Sequence, residues 1–197
     1  MSGHPNRIRI IGGVWRSRQI SVLSQEGLRP SSDRVRETLF NWLGQDLSGL
    51  KVLDAFAGSG ALGFESASRD AKEVILIEKD KKIVAQLQSQ YQLLLSSPIQ
   101  GNLKVMQGDG IIHMGQANTA AYHLIFLDPP FNQPELLKQA VVEAARICDD
   151  HSGGGIYIEC PTTQDLLELE LLMPNWACSR QMQTTQTKAA LFRRTSG

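Results

Sequence analysis

With 197 residues, 42% of them hydrophobic, the chain can bury the core of one ordinary α/β domain and is too short for two comfortable ones. Twenty basic and twenty acidic side chains cancel, which by itself argues against a polyanion partner, yet residues 1–36 carry seven Arg and two acids, residues 180–197 carry four Lys or Arg and no acid, and the middle is acidic. Two basic ends on an acidic body make a directed field that can steer a charged partner. Cys148, Cys160 and Cys178 are widely spaced, without a Cys-x-x-Cys pair or clustered His, which argues against a disulfide framework or a metal site. With Arg7 and Arg9 interrupting the early apolar run and no stretch of membrane-spanning length, a cytoplasmic location without a membrane partner is expected.

Residues 7–11 and 14–23 are β-prone runs separated by Gly12-Gly13, a pair that tolerates the positive φ of a tight hairpin. Arg7, Arg9, Arg16 and Arg18 alternate within these runs, so each pair should share one face of its strand. Such charges can simply protect an edge strand, but seven Arg in 36 residues with Trp15 among them point to a nucleic-acid surface. A turn at Leu28-Arg-Pro-Ser-Ser leads to Asp33 as N-cap, and Val35, Leu39, Phe40 and Leu43 then fall at helical spacing as far as about Gly44. Arg29, Arg34 and Arg36 gather at the start of that helix, where the dipole disfavours cations, so an anion or a carboxylate is expected close by. These three, with the four hairpin arginines, form the candidate nucleic-acid-binding set. Residues 1–45 are read as an N-terminal extension and residues 46–197 as the main domain.

From Leu50 strands and helices alternate. Strands are expected at Val52–Phe56, Val74–Glu78, Leu103–Met106, Leu124–Leu127 and Gly155–Glu159. Helices are expected at Ala61–Ser68, after Asp80 with Ile83, Val84, Leu87, Tyr91, Leu94 and Leu95 as the apolar stripe, briefly after Asp109, and from Glu135 to about Ile147. Trp176–Met182 and Lys188–Arg193 read as a closing antiparallel pair. The fold class is therefore α/β and Rossmann-like, a mostly parallel sheet with helices on both faces, an antiparallel C-terminal strand and an N-terminal β-hairpin, with ligands at the carboxyl ends of the strands.

Gly58-x-Gly60-x-x-Gly63 follows the first of these strands, and Glu78 stands twenty residues after Gly58 where a ribose-binding acid belongs. The pattern alone leaves NAD and S-adenosylmethionine open. Three details favour the methyl donor. Asp54 lies inside the strand end, where it would repel a pyrophosphate but welcome an ammonium. Gly108-Asp109 ends the third of these strands, within reach of an adenine amine. Leu124-Ile-Phe-Leu-Asp-Pro-Pro-Phe131 then gives a methyl donor something to act on: the apolar strand stops at two prolines, leaving a carboxylate, carbonyls without an accompanying N–H, and an aromatic ring as a lip for a planar base bearing an exocyclic amine. Phe56 and Gly110, in the same two cofactor loops, complete the donor-binding set. Plainer readings exist for each residue: strand–helix packing for Gly58 and Gly60, a solvated strand end for Glu78, a helix cap for Asp109, a turn former for Asp128.

Taken together, Arg9-Ile-Ile-Gly-Gly-Val-Trp-Arg-Ser-Arg18, Leu28-Arg-Pro-Ser-Ser-Asp-Arg-Val-Arg-Glu-Thr-Leu-Phe-Asn-Trp-Leu43, Asp54-Ala-Phe-Ala-Gly-Ser-Gly-Ala-Leu-Gly63 and Asp128-Pro-Pro-Phe131 resemble the bacterial 16S ribosomal RNA guanine-N2 methyltransferase family known as RsmD. Ser17 stands where the family pattern has Gly, and Ser31 where it has Thr. The resemblance implies a class I methyltransferase fold with a seven-stranded sheet, S-adenosyl-L-methionine as donor, and as target a guanine of 16S rRNA in an assembled or partly assembled small subunit. It also implies that Asp54, Gly58 and Gly60 flank the methionine part of the donor, that Glu78 binds ribose and that Asp109 meets adenine. Asp128, Pro129 and Phe131 would then hold the target base. A DNA adenine-N6 methyltransferase would use the same lip, and an RNA-binding protein without activity would need only the basic surface.

Overall fold

The computed structural model describes residues 6–22, 33–149 and 153–195. Arg29 and the turn around it lie outside the described residues. A two-stranded sheet, β1 (Asn6–Arg9) with β2 (Gln19–Val22), precedes α1 (Asp33–Leu43). The main sheet is built from β3 (Lys51–Asp54), β4 (Glu73–Glu78), β5 (Asn102–Gln107), β6 (Leu124–Leu127), β7 (Gly155–Pro161), β8 (Trp176–Gln183) and β9 (Thr187–Arg194). Its order is β5-β4-β3-β6-β7-β9-β8, with β9 antiparallel to both neighbours and the remaining pairings parallel. The mostly parallel seven-stranded architecture expected from the sequence is the one observed.

Alternation along the strands sorts side chains onto two faces. Val52, Val74, Leu76, Leu124, Phe126 and Tyr157 join one apolar cluster with α1, α2 (Ala61–Ser68), α3 (Lys81–Leu94) and the hairpin. Leu53, Ile77, Ile125, Leu127, Ile156 and Ile158 join the other with α4 (Gly110–Gln116), α5 (Pro134–Ile147) and α6 (Leu166–Leu172). Helix starts follow local chemistry: Asp80 accepts the Lys82 and Ile83 N–H groups, Asp109 those of Ile111 and Ile112, and Pro134 opens α5 where a missing N–H costs nothing. Of the expected α3 stripe, Leu95 alone is exposed, and it falls past the helix end as the C-cap. Helix α6 has no counterpart among the expected elements; its Leu-Leu-Glu-Leu-Glu-Leu-Leu sequence carries neither a clean strand nor a clean helix period.

The hairpin departs from expectation between its strands. Gly12-Gly13 is not a tight turn, and Val14–Arg18 is not strand: residues 10–18 form a broad loop closed by bonds from Ser17 N–H to the Ile10 carbonyl and from Ile10 N–H to the Arg18 carbonyl, both about as short as a ladder bond at 2.8 and 2.9 Å. The loop is nailed to α2 and the end of α3. Trp15, expected on a nucleic-acid surface, is fully buried; its indole N–H donates to the Ser97 carbonyl at 2.7 Å and its ring meets Phe64 and Tyr91 edge-on. A side chain at Gly13, whose φ is +71°, would collide with the Ser68 carbonyl. Ser17 also adopts a left-handed φ of 69°, which is why a glycine suits that position.

Candidate active site and basic hairpin

Five acids from five adjacent parallel strands line the carboxyl rim of the sheet: Asp109 just after β5, Glu78 ending β4, Asp54 ending β3, Asp128 just after β6 and Glu159 in β7. Parallel β/α units place the connections that bear ligands at this rim. The cofactor residues proposed from the sequence meet around the turn between β3 and α2. Glu78 Oε2 accepts the Gly58 N–H at 3.0 Å and its Oε1 the Asp80 N–H at 2.8 Å, so this acid ties the β4 end to the glycine turn. Gly60 caps α2 at φ 74°, and a Cβ there would strike Leu87 and the Phe64 ring. Phe56 is half-buried against the second cluster, and Gly110 packs so closely on the Ala55 carbonyl that a Cβ would lie 2.2 Å from its oxygen. The turns after β3 and β5 thereby touch.

Asp54 is buried and accepts the Gly63 N–H at 3.1 Å. Burial pushes its carboxyl up to about 7; the Gly63 bond opposes this, and the charges of Glu78 and Glu159 add to it. Asp109 is the helix cap that the plainer reading anticipated, and its other oxygen pairs with Lys79 at 2.6 Å. That hydrogen-bonded ammonium holds its carboxyl below the usual range. Lys79 was not expected here, because its partner lies on the neighbouring strand.

Strand β6 is buried throughout and runs into the lip. The Asp54–Phe126 register and the bond from Ala55 N–H to the Phe126 carbonyl at 3.2 Å put Asp128 two residues beyond the level of Asp54 at the rim. Pro129 is buried, while Pro130 and Phe131 are exposed, Phe131 by 40%. The lip closes with the Gln133 N–H on the Pro130 carbonyl at 3.0 Å. Pro129, Pro130 and Phe131 form one wall of a cavity of about 280 Å³ whose other walls include Leu137, Glu159 and Pro161. A larger hollow, about 410 Å³, lies between α6 and β8 and holds none of the candidate site residues.

Sequence reasoning missed Glu159 and Tyr157. Both are buried in β7, and the Tyr157 hydroxyl donates to Glu159 Oε1 at 3.0 Å. A carboxylate in the apolar run Ile-Tyr-Ile-Glu-Cys is the same signal that marks Asp54 and Asp128, but in the sequence it reads only as a strand end. Burial first, then Glu159 and Asp54, push the Asp128 carboxyl well above the usual range; burial and Glu159 raise the Tyr157 phenol.

The basic set divides. Arg7, Arg9, Arg16, Arg18 and Arg34 are exposed, and Arg7 and Arg9 flank buried Ile8 on one strand face as expected. Arg16 and Arg18 belong to the loop rather than to a strand. Arg18 donates to Ser97 Oγ at 3.0 Å, beyond the end of α3, so this loop sits at the amino edge of the sheet, across from the acidic rim. Arg36 is the correction: it is 0% exposed and bonded to the Arg9 carbonyl at 2.9 Å and Asp33 at 2.7 Å, with Glu65 3.6 Å away, so it does not face RNA. The carboxylate expected near the start of α1 is thus present, and it holds the hairpin: Glu65 also accepts the Ile11 and Gly12 N–H groups at 2.8 and 2.7 Å and pairs with Arg69 at 2.8 Å.

Among the described residues, no helix is long and apolar enough to cross a membrane and no group of His, Cys, Asp and Glu is placed to hold a metal ion. The family described as Conserved hypothetical protein 95 matches residues 8–193. The chain is 38% identical over 180 residues to Ribosomal RNA small subunit methyltransferase D of Haemophilus influenzae, covering 90% of this chain and 89% of that one. It is 36% identical over 192 residues to the protein of the same name from Escherichia coli strain K12, covering 95% and 90%. The solved structure of yhhF from Escherichia coli superposes with a TM-score of 0.80 at 35% identity, over 98% of this chain and all of that one. Family match, identity and fold agree over nearly the whole length, and the chain belongs to the RsmD family of methyltransferases.

Proposed function

We propose that the chain methylates the exocyclic N2 of a guanine in 16S rRNA, with S-adenosyl-L-methionine as donor and an assembled or partly assembled small subunit as substrate. The observation that supports this reading is the parallel pairing of β3 with β6, Asp54 opposite Phe126, from which the glycine turn and the Asp128-Pro129 lip leave at neighbouring strand ends. Relatives named for small-subunit rRNA methylation support the substrate.

The donor site passes a test of fit. Gly58 and Gly60, at φ 48° and 74°, bend the backbone after β3 with no side chain at either position, and Glu78 offers a carboxylate at the adjoining strand end for a diol. Gly58, Gly60 and Asp54 would hold the amino-acid end, Glu78 the ribose, and Phe56, Asp109 and Gly110 the adenine side. Asp109 would do so as a helix cap already paired with Lys79, so the N–H groups and ring faces around it carry more of that contact than its carboxylate. When bound, S-adenosylmethionine supplies an electrophilic methyl on a sulfonium.

The chain's own residues do the rest. A guanine amine is conjugated with its ring and is a poor nucleophile while planar. Asp128 and the Pro129 carbonyl each accept one of its N–H groups, which draws the nitrogen toward tetrahedral form and aims its lone pair. Asp128 then takes the proton that N2 sheds on becoming a secondary amine, a task suited to a carboxyl whose affinity for protons burial has raised. Phe131 provides the exposed ring on which a base taken from its RNA stack can lie. Arg7, Arg9 and Arg34 hold the surrounding backbone, with Arg16, Arg18 and Arg29 on the same extension of residues 1–45.

Transfer of labelled methyl to naked 16S rRNA, to unmethylated small subunits and to duplex DNA, followed by mass analysis of the modified nucleoside, tests this reading. N2-methylguanosine from the ribosomal substrates is expected. N6-methyladenine, or transfer to DNA alone, would overturn it.

A further inference from the structure

We propose that the β8–β9 hairpin is a second contact for the rRNA backbone: Arg180, Lys188 and the turn between them hold phosphates beside the target nucleotide, so that the strand is gripped on both sides of the Asp128-Pro129 lip. This deepens the function proposed above and rests on it.

Sequence and topology meet in this hairpin. Residues 176–194 contain four Lys or Arg and no Asp or Glu, the C-terminal part of the charge asymmetry that the donor site and the lip leave unused. Arg193 and Arg194 lie toward the amino edge, opposite Ala177 and Trp176, and Arg194 is occupied there by the Trp176 ring at 5.0 Å and the Cys148 carbonyl at 3.1 Å. Lys188 and Thr187 instead pair with Cys160 and Pro161, which sets the hairpin turn at the carboxyl end of β7. In the sheet order β6, whose end carries the lip, is followed by β7 and then β9. Two strand spacings, roughly 10 Å, therefore separate the lip strand from the strand that leaves the turn. The N-terminal hairpin lies to the other side, where Ser21 bonds Gln86 and Gln90 of α3, the helix joining β4 to β5. The two basic ends of the chain thus flank the lip.

The turn itself is Gln183-Thr-Thr-Gln-Thr187, exposed apart from half-buried Thr187, and its hydroxyl and amide groups suit phosphate and ribose oxygens. Its shape is set internally: the Thr184 N–H donates to the Thr187 carbonyl at 2.8 Å, and the Thr187 N–H to Thr184 Oγ1 at 3.0 Å. Behind the turn, Lys188 Nζ donates to the Gln164 carbonyl at 2.6 Å and so ties the hairpin to the loop that walls the lip cavity. Arg180 is exposed and lines the hollow between α6 and β8 together with Lys188. Asp165 borders both this hollow and the lip cavity, so the two adjoin.

Charge decides where a polyanion can lie along this path. The lip cavity carries Glu159, Asp165 and Glu168, and Glu170 stands on the α6 wall of the hollow, so phosphates are repelled from both interiors. Asp165 and Glu170 have structural duties there, accepting the Leu167 N–H at 3.0 Å and the Cys178 N–H at 2.6 Å. The acid-free β8–β9 side is where a backbone leaving the lip meets cations. Arg180 and Lys188 make contacts that position the strand without reading its sequence.

The test titrates wild type and variants onto labelled naked 16S rRNA and onto unmethylated small subunits over a range of KCl concentrations, without methyl donor. Arg180→Gln combined with Lys188→Gln removes two phosphate contacts. It is expected to flatten the dependence of log Kd on log salt by about 1.5 and to weaken binding by about tenfold on both substrates, with S-adenosylhomocysteine affinity and melting temperature near wild type. Thr185→Glu leaves both cations in place and sets a negative charge at the exposed tip, so it should weaken binding by about threefold or more even if the double variant is poorly folded. An unchanged salt slope in the double variant, or unchanged affinity in Thr185→Glu, would overturn the assignment. A loss confined to small subunits, with naked rRNA bound as before, would also overturn it and make the hairpin a contact for a bound protein. A wild type that binds both substrates yet forms no N2-methylguanosine would instead overturn the proposed function beneath it.

Discussion

Two regions bury carboxylates, and they do so in opposite ways. Beneath the N-terminal hairpin, Glu65 is fully enclosed but surrounded by compensation: Arg69 at 2.8 Å, Arg36 at 3.6 Å and two backbone N–H groups. At the carboxyl rim, Asp54 and Glu159 are buried beside half-buried Asp128, and desolvation followed by the charges of these two acids pushes the Asp128 carboxyl up rather than down. A buried charge with its partners in place is a fastening; buried acids crowded together keep protons and acceptor capacity for something that arrives later. The contrast separates the part of the chain that holds the hairpin in position from the part proposed to do chemistry.

The comparison can be broken at the fastening first. Glu65→Ala leaves the buried Arg69 guanidinium without its carboxylate, Arg36 with Asp33 alone and two N–H groups without an acceptor, and is expected to cost about 3–5 kcal/mol. Urea unfolding measures it; a loss below about 1 kcal/mol would mean that the network is not what binds hairpin to body.

At the rim the sign of a pH effect is diagnostic. In the unfolded chain Asp54 titrates near 3.9, whereas in the folded, donor-free protein burial raises it to about 7. The folded state therefore binds the proton more tightly, and between about pH 4 and pH 7 stability falls as pH rises, levelling above the folded value. By the usual 1.36 kcal/mol per unit, this group accounts for up to about 4 kcal/mol. Asp54→Asn keeps an oxygen for the Gly63 N–H and removes the titration, so its stability relative to wild type should grow across that window. A difference independent of pH would remove Asp54 from the set of crowded acids.

The smallest effect lies in the hairpin loop. Ser17 sits at φ 69°, and Ser17→Gly relieves the left-handed strain at the cost of some chain entropy, for a net gain of about 0.5–1 kcal/mol in thermal or urea unfolding. A destabilised variant would show that the serine side chain holds the loop by a contact outweighing its backbone strain.

What the sequence revealed divides along the same line. The strands and most helices were legible because each rests on a local signal: apolar runs, caps at Asp80 and Asp109, a proline stop after Leu127. The rim acids Asp54, Glu78, Asp109 and Asp128 were legible because they interrupt or end such runs at fixed spacing from the glycines. Trp15 and Arg36 were misread because residue type does not say what lies across the fold; their partners Ser97 and Glu65 are 82 and 29 positions away in the chain. Glu159 escaped for the reverse reason. It carried a signal equal to that of Asp128, but no proline or glycine beside it drew notice, and its neighbourhood became evident only when the register set β7 against β6.

The central claim is that the rim, and Asp128 in particular, aligns the accepting amine while the glycine turn independently binds the donor. Single-turnover methyl transfer by Asp128→Ala on unmethylated small subunits, measured beside its S-adenosylmethionine affinity, tests that claim most directly. The account predicts a rate lower by about a hundredfold with donor affinity within about twofold of wild type. A rate near that of the wild type, or a loss of donor binding that matches the loss of rate, would contradict it.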